Sequence, residues 1–567
     1  MPTDQVPPRT LWCLLAAGLA LVYIRGLFLD VMDVDASQYA AMAMELLHSG
    51  HWLQIQHQHA AYLDKPPLLF WTAAAAFRLF GLHNWSYKLP SACAVAIGVW
   101  ALYQLTARHY GRVVARNAVI ILATSVGLVM ALNDVRTDAM LMGWTIAAVW
   151  QADRYIAFAA ERQRWLALLL AGVFAGLAMM TKGPIGIVMP AFAIGAHLAL
   201  RRDWRTLGRW EWLLLPVMAL LVLLPMCWGL YQQFDLHPLL TVNGRTGVSG
   251  LRFFFWDQSF GRITGSNAWK NDTSPFFFVH TYLWVFLPWS LLFVAALWRR
   301  LGELLGNRFS IPHTDEGYSI GGFLLTFLAL SLSHYKLPHY IFITLPWAAL
   351  LTARWLGQRP VTASWWRGQY VVFLLLAMLS FWMLTLGFPT SDPIRWIGIA
   401  GGFILVAVLS WRSALPIDGN RAALITALAG TTTAFMLNFH FYPVSLRFQG
   451  TTAIARMARQ ADIPASEMAT FHTHGDAMAF YSGRVLPVLE NVDAVDQAAI
   501  AQHTLYLLAD TAQRAELDRA MVPYAVALTA HHFEVAQPTI PFLRAATRPS
   551  KLRPLYLLRL ERNPAER

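Results

Sequence analysis

Apolar residues in this chain gather into long runs separated by short polar breaks. Runs of about 17 to 22 apolar residues are long enough to cross a bilayer core of roughly 30 Å. They recur near 11–29, 89–107, 115–133, 139–158, 165–181, 184–200, 211–231, 277–298, 319–333, 338–356, 369–387, 394–411 and 421–439. The pattern predicts about thirteen transmembrane helices. Two interruptions are long, at about 30–88 and 232–276. Each contains semi-apolar pieces too short to span. In 35–49, Tyr39, Met42, Met44, Leu46 and Leu47 recur at helical spacing beside polar Gln38, Glu45 and His48. PLLFWTAAAAFRLF (67–80) and LRFFFWDQSF (251–260) are similar. All three predict helices lying on the membrane surface. After residue 440 the pattern shortens. EMATFHT, TLYLLAD and PLYLLRL predict strands, and TTAIARMARQ and TAQRAELDRAM predict helices. The expected organisation is a membrane domain over 1–440 and a small α/β domain over 441–567.

Composition agrees. Of 567 residues, 57% are hydrophobic and 13% charged, about half the charged share of a soluble protein. The net charge of +12 raises the question of nucleic acid, but the arginines form no single patch. They occupy alternate connections: Arg108, Arg112 and Arg116; Arg154, Arg162 and Arg164; Arg201, Arg202, Arg205 and Arg209; Arg299, Arg300 and Arg308; Arg354, Arg359 and Arg367; Arg412 and Arg421. Basic connections face the cytoplasm. The N-terminus is then cytoplasmic, and the two long loops and the C-terminal domain lie on the outer, periplasmic side of an inner membrane. No nucleic-acid partner and no obligate protein partner is expected. Cys13, Cys93 and Cys227 all fall in apolar runs, which argues against a disulfide framework and a cysteine metal site.

Ionisable residues beside a membrane point to function. Asp33 and Asp35 follow the first run, and Asp134, Arg136 and Asp138 fill a short outer loop. Helix capping and a local ion pair would also explain them. Lys65 precedes Pro66 and Pro67, which restrict its backbone. Lys182, Arg262 and Lys336 fall on the same side, Lys336 beside Tyr335, His339 and Tyr340. Each alone could be a snorkelling cation. Together, on a face otherwise poor in basic residues, they describe an anion site, for which a membrane-linked phosphate is the natural occupant. His57 and His59, and His472 and His474, alternate. Metal binding and ordinary surface roles both fit them.

DVDASQYAAMAMELLHSGHW, YLDKPPLLFW, TDAM, MMTKGPIGIVMP, SFGRITG and KLPHYIFITLP, in that order, resemble the bacterial GT-C glycosyltransferases. They look closest to the family of the lipid A 4-amino-4-deoxy-L-arabinose transferase and the dolichyl-phosphate-mannose-protein mannosyltransferase-like enzymes. The resemblance spans roughly residues 10 to 440. It implies a polytopic α-helical membrane protein of GT-C type that takes a sugar from a polyprenyl carrier, usually undecaprenyl phosphate, with inversion. The envelope acceptor would be lipid A or lipopolysaccharide, with membrane lipids around it. The family's acids match Asp35 and Asp138. The groups at the donor phosphate match Lys65, Arg262 and Tyr340, with Tyr62 near the carrier head group. One departure stands out: the aminoarabinose transferases carry Glu-Lys-Pro where this chain has Asp64-Lys65-Pro66. That leaves open the sugar, the acceptor (a protein or another glycan being the alternative) and a divalent metal near this position. No resident cofactor is expected, and no metal ligands are assigned.

A transporter or flippase for a lipid-linked substrate is the competing class. Transporters place ionisable groups at mid-membrane in broken helices and repeated halves. Pro184, Pro190 and Pro225 could break helices, but the ionisable residues cluster at one face and no repeat is apparent.

Overall fold

The computed structural model of the chain describes residues 9–158, 160–242, 244–258, 261, 271, 273–473 and 475–562. Each of the thirteen apolar runs is helical along most of its length. The first forms α1 (Arg9–Leu27). The long first loop carries α2 (Asp35–Ser49) and α3 (Leu68–Phe80). Then come α4 (Asn84–Ala123), α5 (Val126–Asn133), α6 (Thr137–Ala157), α7 (Glu161–Lys182) and α8 (Ile185–Leu200). α4 holds two segments joined at Gly111, whose φ of 81° is open to glycine without steric cost. Among the described residues, seven helices are long and apolar enough to cross a membrane by length and composition. Shorter apolar helices occur at Leu68–Phe80, Ile185–Leu200 and Tyr318–Ser331. The chain is a multi-pass membrane protein.

α6 is central and buried on almost every side. It crosses α4 where Gly98 meets Gly143. A Cβ on Gly143 would stand 2.2 Å from the Ala94 carbonyl oxygen, and one on Gly98 would stand 2.6 Å from the Gly143 Cα. Small residues let helices approach this closely in lipid. The contact sets how far α6, with Asp138 in its first turn, sits along the bundle.

The loop helices are packed into the protein. α2 is buried from Ala36 to Leu46 apart from Gln38, between α3 and helix Asp476–Ser482 of the C-terminal domain. Its alanines (Ala36, Ala40, Ala41 and Ala43) let neighbours close in on both sides. Buried Glu45 accepts hydrogen bonds from the backbone N–H of Gln58 (2.8 Å) and His59 (2.7 Å). These two residues form the tight turn between β1 (Gln56–His57) and β2 (Ala60–Ala61), both at positive φ, as a two-residue hairpin of this hand demands. In 251–260, a short helical turn at Gly250–Arg252 continues into a π-turn at Phe253–Asp257.

β3 (Thr241–Val242) and β4 (Arg245–Thr246) form a small hairpin in the second long loop. The C-terminal region builds a five-stranded sheet from β5 (Met468–Phe471), β6 (Val488–Leu489), β7 (Thr504–Asp510), β8 (Ala525–His532) and β9 (Arg553–Glu561). Their order is β6-β5-β7-β9-β8. β5 runs parallel to β6 and β7; β9 is antiparallel to β7 and β8. Phe471, Leu505, Leu507, Leu558 and Leu560 fill one core face.

The sheet domain meets the membrane domain along residues 30–33. Arg456 pairs with Asp30, and Thr451 donates to the Asp33 carboxylate at 3.2 Å. His532 lies 3.9 Å from Asp33, but its Nδ1 accepts the Gly450 N–H at 3.2 Å, so that nitrogen carries no proton. Burial lowers the His532 pKa. Burial raises Asp33 to about 7, aided by Asp476 and Glu534 and opposed by the Thr451 hydroxyl. The folded state therefore holds this proton more tightly than the unfolded chain does. The resulting stability is complete below the ordinary value of 3.8 and is lost as pH rises through about 7. Asp33→Asn, which mimics the protonated acid, should flatten the fall in thermal midpoint between about pH 4 and about pH 7 in detergent. Parallel slopes for wild type and variant would remove Asp33 as the titrating group.

Candidate active site

Five segments converge where α2, α6, α7, the loop before α3 and a turn at Pro338–Thr344 meet. Asp35 is the first residue of α2. Asp138 is in the first turn of α6, where a carboxylate also complements the helix dipole. Lys182 is the last residue of α7. Lys65 precedes the two prolines that lead into α3. Tyr340 stands on a 3-10 turn at Pro338–Thr344. These five residues and Tyr62 line one cavity of about 210 Å³, with Asp64, Arg136 and His339.

Several of the charges in it are paired. Arg136 bridges two acids, with Nη1 2.5 Å from Asp35 Oδ2 and Nε 2.9 Å from Asp134 Oδ2. Burial opposes the Arg136 charge, but Asp134 and Asp35 together raise its pKa above the ordinary range. Burial also raises Asp134, against the pull of Arg136. Lys182 Nζ lies 2.5 Å from Asp138 Oδ1 and 4.0 Å from the Tyr340 ring centroid, an ammonium held by a carboxylate and a π face. His339 Nε2 is 3.8 Å from the other Asp138 oxygen. Tyr62 is wedged edge-on between Phe70 and His57, at centroid distances of 6.0 and 6.3 Å.

A second cavity of about 250 Å³ adjoins the first and shares Lys65, Asp138, Lys182 and Tyr340 with it. Its remaining wall is chiefly apolar, from Leu141, Ile185, Val188, Met189, Phe192 and Ile343 among others. Buried Gln258 closes one edge and donates to the Asp64 carbonyl. A third cavity, about 550 Å³, shares Asp138, Arg136 and His339 and reaches the Ala536–Pro538 segment of the C-terminal domain. A polar chamber thus opens both to an apolar groove and toward the sheet domain.

Of the residues singled out from sequence, Asp35, Asp138, Lys65, Tyr62 and Tyr340 share the chamber. Arg262 lies outside the described residues. Lys336 points elsewhere: its Nζ donates to the Thr273 carbonyl at 3.2 Å, and it does not line the chamber. Asp33 faces the sheet domain. The alternating histidines diverge. His57 Nε2 binds Asp476 Oδ1 at 2.7 Å, the His59 side chain is largely exposed, and His472 pairs with Glu516; His474 lies outside the described residues. Among the described residues, no three potential ligands stand together as a metal site would require. Sequence reasoning saw Arg136 only in a pair with an acid of its own short loop and missed its bond to Asp35. That bond joins residues 101 positions apart, and no local pattern signals it.

Residues 64–228 match the family described as dolichyl-phosphate-mannose-protein mannosyltransferase. The undecaprenyl phosphate-alpha-4-amino-4-deoxy-L-arabinose arabinosyl transferase 1 of Pseudomonas fluorescens is 27% identical over 361 residues, covering 60% of this chain and 58% of that protein. The corresponding transferase of Pseudomonas paraeruginosa is 29% identical over 362 residues, covering 62% and 60%. The chain thus spans somewhat under two thirds of the length of these curated relatives. The crystal structure of ArnT from Cupriavidus metallidurans bound to undecaprenyl phosphate superimposes over 96% of this chain and 97% of that one, with a TM-score of 0.70 at 18% identity. The apo form gives 0.67 at 17%. The fold is therefore shared along the whole chain, sheet domain included. In sequence this chain is thus similar to the dolichyl-phosphate-mannose-protein mannosyltransferase family and to the undecaprenyl phosphate-aminoarabinose transferases, and it has the fold of ArnT from Cupriavidus metallidurans.

Proposed function

We propose that the chain is a glycosyltransferase of the bacterial inner membrane. It moves a sugar from a polyprenyl-phosphate carrier, most simply undecaprenyl phosphate, to an acceptor on the periplasmic face. The observation that carries this reading is the pair of adjoining cavities: a charged chamber and an apolar groove that share Lys65, Asp138, Lys182 and Tyr340. An amphiphile with a prenyl tail and a phosphate head matches that division. The relatives' names support 4-amino-4-deoxy-L-arabinose as the sugar and, through the family, lipid A as the acceptor.

In this mechanism the tail lies in the groove, and the phosphate rests against Lys65 and Tyr340, with Arg262 assigned the same role by resemblance. An acceptor oxygen attacks the anomeric carbon. The bond from that carbon to the phosphate oxygen breaks, its electron pair stays on the leaving polyprenyl phosphate, and configuration inverts. Lys65 offsets the charge that develops on the leaving group. Asp35 and Asp138 flank the sugar and stabilise positive charge at the anomeric centre. Each is already paired with a cation, Asp35 with Arg136 and Asp138 with Lys182. A phosphate acceptor arrives ionised and needs only to be oriented. A hydroxyl acceptor would lose its proton to Asp35.

Mass spectrometry of lipid A, total glycolipids and envelope glycans from a deletion strain tests this. A single sugar increment should vanish, return with the wild-type gene and stay absent with Asp35→Asn. Unchanged profiles across several growth conditions would end the transferase reading. The groove has its own test. Val188→Trp should raise KM about tenfold for a full-length prenyl donor and leave a short-chain donor little changed. Equal effects on both donors would take the tail out of this groove.

A further inference from the structure

Asp33 and Asp35 are two residues apart but enter different chambers. Asp35 lines the charged cavity, while Asp33 lines a separate space of about 400 Å³ against the sheet domain. The turn between them is Val34, at φ 77° and ψ −103°. This is the mirror image of an ordinary extended conformation. It is open to glycine but strained for a β-branched residue. Val34 is 50% exposed, so burial of its own side chain does not compensate. Something outside the residue must hold it.

The side chains that hold the residues before it come from the C-terminal region. Gln449, fully buried, accepts the Asp33 N–H at 2.7 Å and donates to the Val31 carbonyl at 3.0 Å. Thr451 donates to the Asp33 carboxylate. The Tyr481 hydroxyl accepts the Val31 N–H at 2.9 Å and donates to Asn84 at 3.0 Å. Both backbone positions that flank Met32, and the side chain just before Val34, are thus pinned by residues more than 400 positions away. On the other side of Val34, α2 closes back on the turn: Ser37 N–H donates to the Met32 carbonyl at 3.0 Å and Gln38 N–H to the Val34 carbonyl at 3.1 Å. Strained residues persist when their surroundings over-determine them, and they gather at functional sites.

We propose that the C-terminal domain is a clamp that keeps Val34 in its strained turn and so aims Asp35 into the chamber, with Gln449 and Thr451 as positioning residues. The inference rests on the transferase reading for its activity readout, but not for its structural one. A released Val34 relaxes toward negative φ and swings the start of α2. Asp35 leaves Arg136, while Lys65 and the groove stay in place.

The test uses the purified full chain in lipid nanodiscs. Gln449→Ala should lower kcat about tenfold, the scale of losing one strained conformation, with KM for the polyprenyl-phosphate sugar unchanged. Adding Val34→Gly to that variant should restore kcat to within about threefold of wild type, because glycine adopts this turn unaided. A merely structural role for Gln449 predicts no such rescue. Wild-type kcat in Gln449→Ala, or a double variant no better than the single, overturns the proposal. If Gln449→Ala does not fold, Thr451→Val takes its place with the same expectations. Hydrogen exchange at the Ser37 and Gln38 amides gives the second readout. It should quicken in the clamp variant and slow again in the double variant; no change overturns the clamp. If the wild-type chain transfers no sugar from such a donor, the transferase reading fails and hydrogen exchange alone decides the clamp.

Discussion

Asp35→Asn will fold, bind the lipid carrier and transfer almost nothing. The amide matches the carboxylate in size and can still accept a hydrogen bond from Arg136, so the bridge to Asp134 and the packing of α2 survive. The negative charge is lost. In the proposed mechanism that charge faces the sugar, where the breaking bond leaves the anomeric carbon electron-poor. It is also the first candidate for taking a proton from a hydroxyl acceptor. Removing a positioned acid–base group costs roughly 10²- to 10⁴-fold in turnover, and kcat should fall in that range. Carrier affinity should stay within about threefold, because the phosphate contacts lie elsewhere. Initial rates with a polyprenyl-phosphate sugar, beside direct carrier binding, separate the two quantities. Turnover at the wild-type rate would remove Asp35 from the chemistry.

Lys65→Met should be nearly as damaging, through a different parameter set. Lys65 lines the charged chamber and the apolar groove, and also a small apolar recess beside Pro66 and Pro67. In the proposed mechanism it stands where head group meets tail. Methionine keeps the apolar stem and removes the ammonium. Loss of a preorganised charge beside a leaving phosphate costs about 10²- to 10³-fold in kcat, and here carrier binding should weaken as well. Lys65→Arg should recover part of both, because guanidinium also binds phosphate. A Lys65→Met enzyme with normal carrier affinity and normal kcat would move the phosphate site away from this loop.

The membrane helices were legible because each needs only its own twenty residues to be apolar. The sheet domain was legible as an α/β unit because its strands are short apolar runs bounded by polar turns. The residues of the chamber became legible through motifs in order, which is information about a family rather than about forces. What stayed hidden is whatever depends on a distant partner. Hydrophobic spacing in 35–49 announces an amphipathic helix but not that the C-terminal domain will cover its second face. Lys336 has the right neighbours for an anion site, yet its direction is set by the Thr273 carbonyl across the chain. The two roles of Arg136 differ in the same way. Its bond to Asp134 is two residues long and visible; its bond to Asp35 spans 101. Val34 is the extreme case, since a valine in sequence gives no hint of a positive φ.

The crossing of Gly98 and Gly143 sets a rule for anyone redesigning this protein. Hydropathy and helix propensity both favour alanine over glycine in a membrane helix interior, so an automated optimiser would accept Gly143→Ala readily. The added methyl would land 2.2 Å from the Ala94 carbonyl oxygen, and the two helices would have to separate. α6 would carry Asp138 with it, out of register with Lys182 and with everything supplied by the first loop. The geometry of the chamber can thus be spoiled from a helix crossing outside its lining by a change that looks conservative on every one-dimensional scale. A mutational library confined to the chamber's own lining would never sample it.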